Sequence, residues 1–264
     1  MFKDRKEKII IGLVHLRPMP GTPYYKEGDY DESIEKALKD VAALVEGGAD
    51  GCLLQTSDRI YPATDDTDYV RATCLASIGT EVRKAVSKDF IVGVQIMWNC
   101  ITPSLAVAKA CKADFTRCTA LVGKTESPYG TIVADPLKVL TYKNSICMSE
   151  NFDMLAEIAG YHFKGEYSKE NLQTLAGQAI RAGATAIEIL DKDEAMNERK
   201  VLDVKEAFPD IPVILGGGTN AENAQRRLKY CEGALVGTYF EDGNWGGPIN
   251  PETVKKYMDI VRAM

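Results

Sequence analysis

Two histidines occur in the 264 residues, and each stands at the end of an apolar run. His15 closes "IIIGLVH", and His162 follows "MLAEIAGY". Imidazole changes charge near neutral pH and suits proton exchange or metal ligation; a hydrogen-bonded loop histidine is the plain alternative. Glu157 in "LAEIA" and Glu188 in "AIEIL" are carboxylates inside apolar runs. A buried carboxylate needs a partner, which Arg117 in "FTRC" or a histidine could supply. A general base, a metal ligand and a structural ion pair are the open roles. The candidate catalytic set is therefore His15, Glu157, His162 and Glu188.

Arg17 follows His15 into a turn stiffened by Pro18, Pro20 and Pro23 around Gly21. It is a candidate clamp for an anionic group or an ordinary surface arginine. Gln55, Gln95 and Asn99 are neutral amides suited to hydroxyls or base edges, or to one another. With Arg117 they complete the candidate substrate-binding set. Asp191 and Lys192 read as solvated loop residues, and Lys124 is a weaker candidate.

A third signal is glycine. "VILGGGTNAENAQ" places Gly216, Gly217 and Gly218 before a helix capped by Thr219 or Asn220, and "ALVGTYF" places Gly237 and Thr238 after another apolar run. Glycines admit close backbone approach, and amides entering a helix favour an anion. These five residues are the candidate phosphate site; tight turns with no ligand are the bland reading.

The elements that must position these groups recur in one pattern: amphipathic helix, small-residue stop, short apolar run. "ALVEGGADGCLLQT", "AKACKADFTRCT", "AIRAGATAIEIL" and "RLKYCEGALVGT" are instances. Eight runs read as strands, at 9–15, 51–56, 90–97, 114–118, 153–159, 185–190, 211–215 and 233–237. They lack clean alternation, as parallel strands covered on both faces do. Periodic helices lie between them, at 31–46 and 168–181 among others, and 135–149 is the faintest. The last helix has Asn250 as N-cap and Pro251 at its first position. The arithmetic is that of a single-domain α/β (β/α)8 TIM barrel over 1–264. An open doubly wound sheet would need a topological break that is absent from the pattern. Chemistry then belongs at the C-terminal strand ends, where the long loops 16–30, 56–66, 119–134, 160–167 and 238–250 gather. Loops after the seventh and eighth strands form a phosphate site in many such barrels, which favours the ligand reading of the glycines.

A net charge of -6 argues against a nucleic-acid partner, and the basic stretches Lys3–Lys8 and Arg226–Lys229 read as solvated faces. Seven scattered cysteines without a Cys-x-x-Cys pair read as reduced, mostly buried thiols. No segment has the length of a transmembrane helix, and the N-terminal apolar run is too short for a signal peptide. The expectation is a cytoplasmic chain with a small phosphorylated substrate, open to homo-oligomer formation. No cofactor is indicated beyond a divalent metal at the histidines and carboxylates, which is left open.

The opening "IIIGLVHLRPMPGTP" resembles the start of the BtpA family, and the resemblance continues through "GGADGCLLQ", "IVGVQIMWN", "FTRC", "IPVILGGGTNAENA", "GALVGTYF" and "NPETVKKYMDIV". It spans nearly the whole chain. It implies a ribulose-phosphate-binding barrel, and two functions: photosystem I biogenesis, or an enzyme of sugar or nucleoside metabolism. Around the fifth strand the family pattern resembles Leu-Ala-Asp-Val-His-Val-Lys-His. Here Glu157 replaces the acid, Ala159 and Tyr161 replace His and Lys, and His162 remains. Gln55 stands where a glutamate is common. Polar groups replaced by other polar groups point to a changed substrate rather than a lost activity.

Overall fold

The apolar runs become parallel strands buried on both faces, and the periodic segments between them become helices. A computed structural model describes residues 1–3 and 7–264. The first half contains β1 (Ile9–His15), α1 (Asp29–Glu46), β2 (Gly51–Gln55), α2 (Tyr69–Ala85), β3 (Ile91–Gln95), α3 (Ile101–Cys111) and β4 (Phe115–Cys118). A hairpin, β5 (Lys124–Ser127) and β6 (Gly130–Val133), leads to α4 (Pro136–Ser145). The second half contains β7 (Asp153–Ala159), α5 (Lys169–Arg181), β8 (Ala186–Ile189), α6 (Glu194–Ala207), β9 (Val213–Leu215), α7 (Ala224–Arg227), β10 (Gly233–Val236) and α8 (Pro251–Arg262). Eight strands close a parallel barrel in the order β1-β10-β9-β8-β7-β4-β3-β2, with β10 bonded back to β1. This is the TIM barrel that the strand count predicts.

Within each strand, alternate residues face the barrel axis. On β1 these are Ile9, Ile11, Leu13 and His15; the first three join Leu53, Ile91, Phe115, Leu155, Ala186, Ile214 and Leu235 in an interior core. Ile10 and Val14 face the helices and belong to the outer core. Phe2 reaches the lower barrel and meets Phe115 edge-on at 5.7 Å. The last helix begins as its sequence predicts, with Asn250 Oδ1 accepting from the Glu252 amide at 2.9 Å and Pro251 in its first turn.

Three departures have local causes. The segment 119–134 is not a plain loop but carries the antiparallel β5–β6 pair. Its strands are four residues long and bury little besides Thr125 and Ile132, so no alternation stands out in the sequence. The helix after β9 is one turn, N-capped by Asn223. Thr219 and Asn220 have other tasks: Thr219 Oγ1 accepts from Tyr257, and Asn220 Oδ1 accepts from the amides of Glu222 and Asn223. In the second basic stretch Arg227 is buried rather than solvated, donating to the Asp191 carbonyl. Of the first stretch, residues 4–6 lie outside the described residues.

Gly93 is fixed by close approach. A Cβ there would lie 2.2 Å from the Phe115 ring. Gly93→Ala is expected to destabilise the barrel by about 1–3 kcal/mol through overpacking. Phe115→Leu in the same chain is expected to recover part of that loss, because the two positions share one space. Urea unfolding of the two single variants and the double variant measures both effects.

Candidate functional site

The alternation that fills the barrel with aliphatic side chains ends in a different register of chemistry. The last inward residue of each strand, taken around the barrel, is His15, Gln55, Gln95, Arg117, Glu157 and Glu188, followed by Gly216 and Gly237 just beyond β9 and β10. His15, Gln55 and Gln95 are paired in register across β1, β2 and β3, and Glu157 faces Glu188 across β7 and β8. Six polar side chains therefore form an arc, and two glycines leave the remaining side open. Above this layer lies a cavity of about 680 Å³, within the range of small-molecule sites.

Both histidines line the cavity, and both are held the same way. His15 Nδ1 is 2.8 Å from Glu241 Oε1, and His162 Nδ1 is 2.9 Å from Glu157 Oε2. A carboxylate oxygen accepts, which places the ring proton on Nδ1 and leaves Nε2 with its lone pair when the ring is neutral. Neither Nε2 makes a hydrogen bond among the described residues. β1 and β7 are four strands apart in either direction, so the two rings stand on opposite walls. Burial pushes the His162 pKa below the usual imidazole value, with Glu157 opposing.

Beneath His162 is a fully buried charge cluster. Arg117 Nε donates to Glu188 Oε2 at 2.6 Å, and Arg117 Nη2 reaches Glu188 Oε1 and, at 3.4 Å, Glu157 Oε2. Glu157 also accepts the amides of His162 at 2.6 Å and Phe163 at 3.0 Å. Burial disfavours its charge, but His162, Arg117 and these hydrogen bonds hold its pKa down to about 2. Glu188 has only the arginine, and burial pushes it up to about 7, helped by the nearby charge of Glu157. One cation thus faces two buried carboxylates, of which Glu188 is the harder to ionise. Gly216 is required here, since a Cβ would lie 2.1 Å from Glu188 Oε1.

The glycine loops form the opposite wall. Gly216, Gly217, Gly218, Gly237 and Thr238 all line the cavity. Gly217 and Gly218 have φ of 140° and 73°, open to glycine and strained for other residues. The amides of Gly217, Gly218 and Thr238 donate to nothing among the described residues.

The remaining sequence candidates divide. Gln55 lines the cavity and donates to Gln95 Oε1 at 2.6 Å, so Gln95 lies behind it and orients it. Asn99 accepts the Ala120 amide at 2.7 Å and holds the loop after β4. Glu157 and Glu188 act from below the cavity through Arg117 and His162 rather than lining it. Arg17 does not join them: it is half-exposed, pairs with Glu32 at 3.4 Å, and faces outward over α1. Asp191 pairs with Lys200 at 2.7 Å, and Lys124 is exposed in the hairpin. Five of the cysteines (52, 100, 111, 118 and 231) are buried with thiols pushed up by that burial. Among the described residues no three His, Cys, Asp or Glu side chains gather as a metal site. The sequence reading missed Glu241, whose acid sits in a loop 226 residues from His15, and the aromatic residues of four separate loops.

Comparison with known proteins fits this architecture. The BtpA family model matches residues 6–263. The chain belongs to the BtpA family. An uncharacterized protein of Archaeoglobus fulgidus is 34% identical over 261 residues, covering 97% of this chain and 98% of its own. The Synechocystis protein named photosystem I biogenesis protein BtpA is 24% identical, covering 96% and 87%. Among solved structures, the tryptophan synthase alpha subunit of Legionella pneumophila superposes with a TM-score of 0.62 at 12% identity, covering 97% and 94%. A 3-hexulose-6-phosphate synthase does so at 0.57 and 16% identity, covering 96% and 99%. At such identities the likeness shows the fold of this BtpA-family chain and no more. Among the described residues no helix is long and apolar enough to cross a membrane.

The charge cluster makes a pH-dependent contribution whose sign is set by Glu188. Its folded pKa, about 7, exceeds the ordinary glutamate value of 4.5. Its contribution is therefore present below pH 4.5 and is lost as pH rises through 7. Glu157 acts oppositely and only below 4.5, because its pKa is lowered to about 2. Arg117→Met leaves both carboxylates without their cation and is expected to cost about 3–5 kcal/mol at pH 8. The loss should shrink steadily toward pH 5, as read from urea unfolding at intermediate pH values.

Proposed function

We propose that this chain is an enzyme acting on a small phosphorylated sugar or nucleoside-like substrate. The observation that carries the reading is the pair of His–Glu units on opposite walls of one cavity whose third wall is unpaired glycine-loop amide. Amides without partners, on loops that follow β9 and β10, suit a phosphate. A ring nitrogen held by a buried glutamate and open to the cavity suits proton transfer. In this reading His162, kept neutral by burial, accepts a proton through Nε2, and His15 serves the far side of the substrate. Gln55 and Arg117 orient substrate oxygens from the floor. Solved barrels of this fold whose names include 3-hexulose-6-phosphate synthase and phosphoribosyl anthranilate isomerase support phosphorylated ligands as the class to test.

The name of the cyanobacterial relative supports a second reading, a biogenesis factor that uses the barrel as a scaffold. The two readings separate on ligand binding. Under the enzymatic reading, ribose 5-phosphate raises the melting temperature, and inorganic phosphate competes with it. Gly217→Asp, which puts a carboxylate in the anion site, is expected to abolish the shift. His15→Gln and His162→Gln should each lower turnover by about 10²–10⁴-fold while phosphate binding persists. Activity rising with pH through an inflection below 6.5, and losing that inflection in His162→Gln, identifies the base. No stabilisation by any phosphorylated ligand, together with stable capture of a protein partner by the Gly217→Asp chain, leaves the scaffold reading.

A further inference from the structure

The cavity of about 680 Å³ has room for a drug-sized ligand. The wall opposite the glycine loops is aromatic. Tyr61 follows β2, Trp98 follows β3, Tyr129 sits in the hairpin turn, and Tyr161 follows β7. The Tyr61, Trp98 and Tyr129 ring centroids are mutually 5.4–5.9 Å apart. Trp98 and Tyr161 flank His162 at 4.4 and 4.9 Å, both edge-on. Interplanar angles of 47–90° mean that no pair is stacked in parallel. An edge-on contact takes up one face of one ring of the pair and leaves the other faces clear of parallel neighbours.

These rings are not a buried core. Tyr161 is 60% exposed, and Tyr61, Trp98 and Tyr129 are half-buried along the cavity. They are nonetheless held in place. Buried Arg71 pairs with Asp58 and donates to the Met97 carbonyl at 2.6 Å, fastening the loops that carry Tyr61 and Trp98. Thr119 Oγ1 donates to the Trp98 carbonyl, and Tyr129 Oη donates to the Arg59 carbonyl, each at 2.8 Å. Trp98 Nε1 is a buried donor with no acceptor among the described residues. Rigid aromatic surface facing an open cavity is the arrangement that stacks a planar ligand. A cationic ligand is disfavoured, because the Arg71 guanidinium already lies 5.9 Å from the Tyr61 ring and Arg59 lines the same cavity.

We infer that the substrate is a phosphorylated compound carrying a planar unsaturated ring, a nucleoside monophosphate or a close analogue, with its ring in the Tyr61–Trp98–Tyr129 box. The inference rests on the phosphate reading above and adds the second end of the ligand. The histidines then flank the portion between phosphate and ring.

Calorimetric titration of the full chain with AMP, UMP, ribose 5-phosphate and adenosine tests it. AMP or UMP is expected to bind roughly tenfold or more tighter than ribose 5-phosphate, the gain that one stacked base supplies. Tyr129→Leu and Trp98→Leu should erase that gain and leave ribose 5-phosphate binding unchanged. The wild-type ranking stands as a test even if a variant fails to fold. Ribose 5-phosphate binding as tightly as both nucleotides overturns the ring subsite and leaves the phosphate reading intact. Adenosine binding as tightly as AMP, insensitive to Gly217→Asp, overturns the phosphate reading and with it this inference. Failure of all four ligands to bind overturns both.

Discussion

One arginine between two carboxylates, in the dry centre of the barrel mouth, is the constraint from which the site is built. Glu157 and Glu188 face each other across β7 and β8, both with no exposed surface. Like charges so placed repel, and burial penalises each of them. Arg117 can balance one. The asymmetry is resolved by the loop after β7, which turns the amides of His162 and Phe163 back onto Glu157. Glu157 is held charged, Glu188 is the harder of the two to ionise, and the loop that bonds Glu157 also sets His162 over the cavity. The same packing explains two glycines, because Gly160 and Gly216 each occupy space that a Cβ would take from a glutamate oxygen. The hydrogen bonds that hold the histidine and the opening of the glycine wall are thus parts of one charge-balancing arrangement.

The second histidine repeats the device with a different neighbourhood. Glu241 on the loop after β10 holds His15 as Glu157 holds His162, but no arginine is bonded to Glu241 and its Oε2 is buried without a partner among the described residues. Trp245, 48% exposed, covers the His15 ring at 5.1 Å. The two like units thus sit in unlike surroundings. Their separation by half the barrel rather than by one strand gives a ligand room between them.

What the sequence disclosed follows the same logic. The eight strands were legible because both faces of each are apolar, and that same uniformity hid which residues point inward. Only the final inward position of each strand departs from it, which is why His15, Gln55, Arg117, Glu157 and Glu188 stood out as polar residues in apolar runs. Glu241 did not stand out, since an acid in "YFEDGNWGG" has the look of a solvated loop until the fold returns it to His15. The aromatic wall was equally hidden, being assembled from four loops with no shared spacing. Arg17 shows the converse error: next to His15 in sequence, it follows a proline-rich turn outward, where its amide donates to Ser33 and its side chain meets Glu32. Adjacency along a loop carries no direction, whereas alternation along a strand does.

Of the departures from the pattern that the family resemblance implies, Ala159, Tyr161 and Gln55 lie around the histidine–glutamate units, whereas Glu157 itself stands for an aspartate and Glu188 for a smaller residue. Glu157 and His162 keep an acid and a histidine in place, joined at 2.9 Å. Tyr161, standing where a lysine is usual, places an aromatic ring 4.9 Å from His162 on the cavity side. Ala159, standing for a histidine, lies where the β7–β8 register shifts, beside the strand end. Gln55, standing for a glutamate, is neutral and is bound to Gln95 behind it. Ala159 and Gln55 each lack the titrating group of that pattern, and Tyr161 exchanges an amine for a phenol on a flat ring. Beside the aromatic wall the buried Arg117 cluster stands complete, although an ion triad costs stability that apolar residues of similar volume would restore.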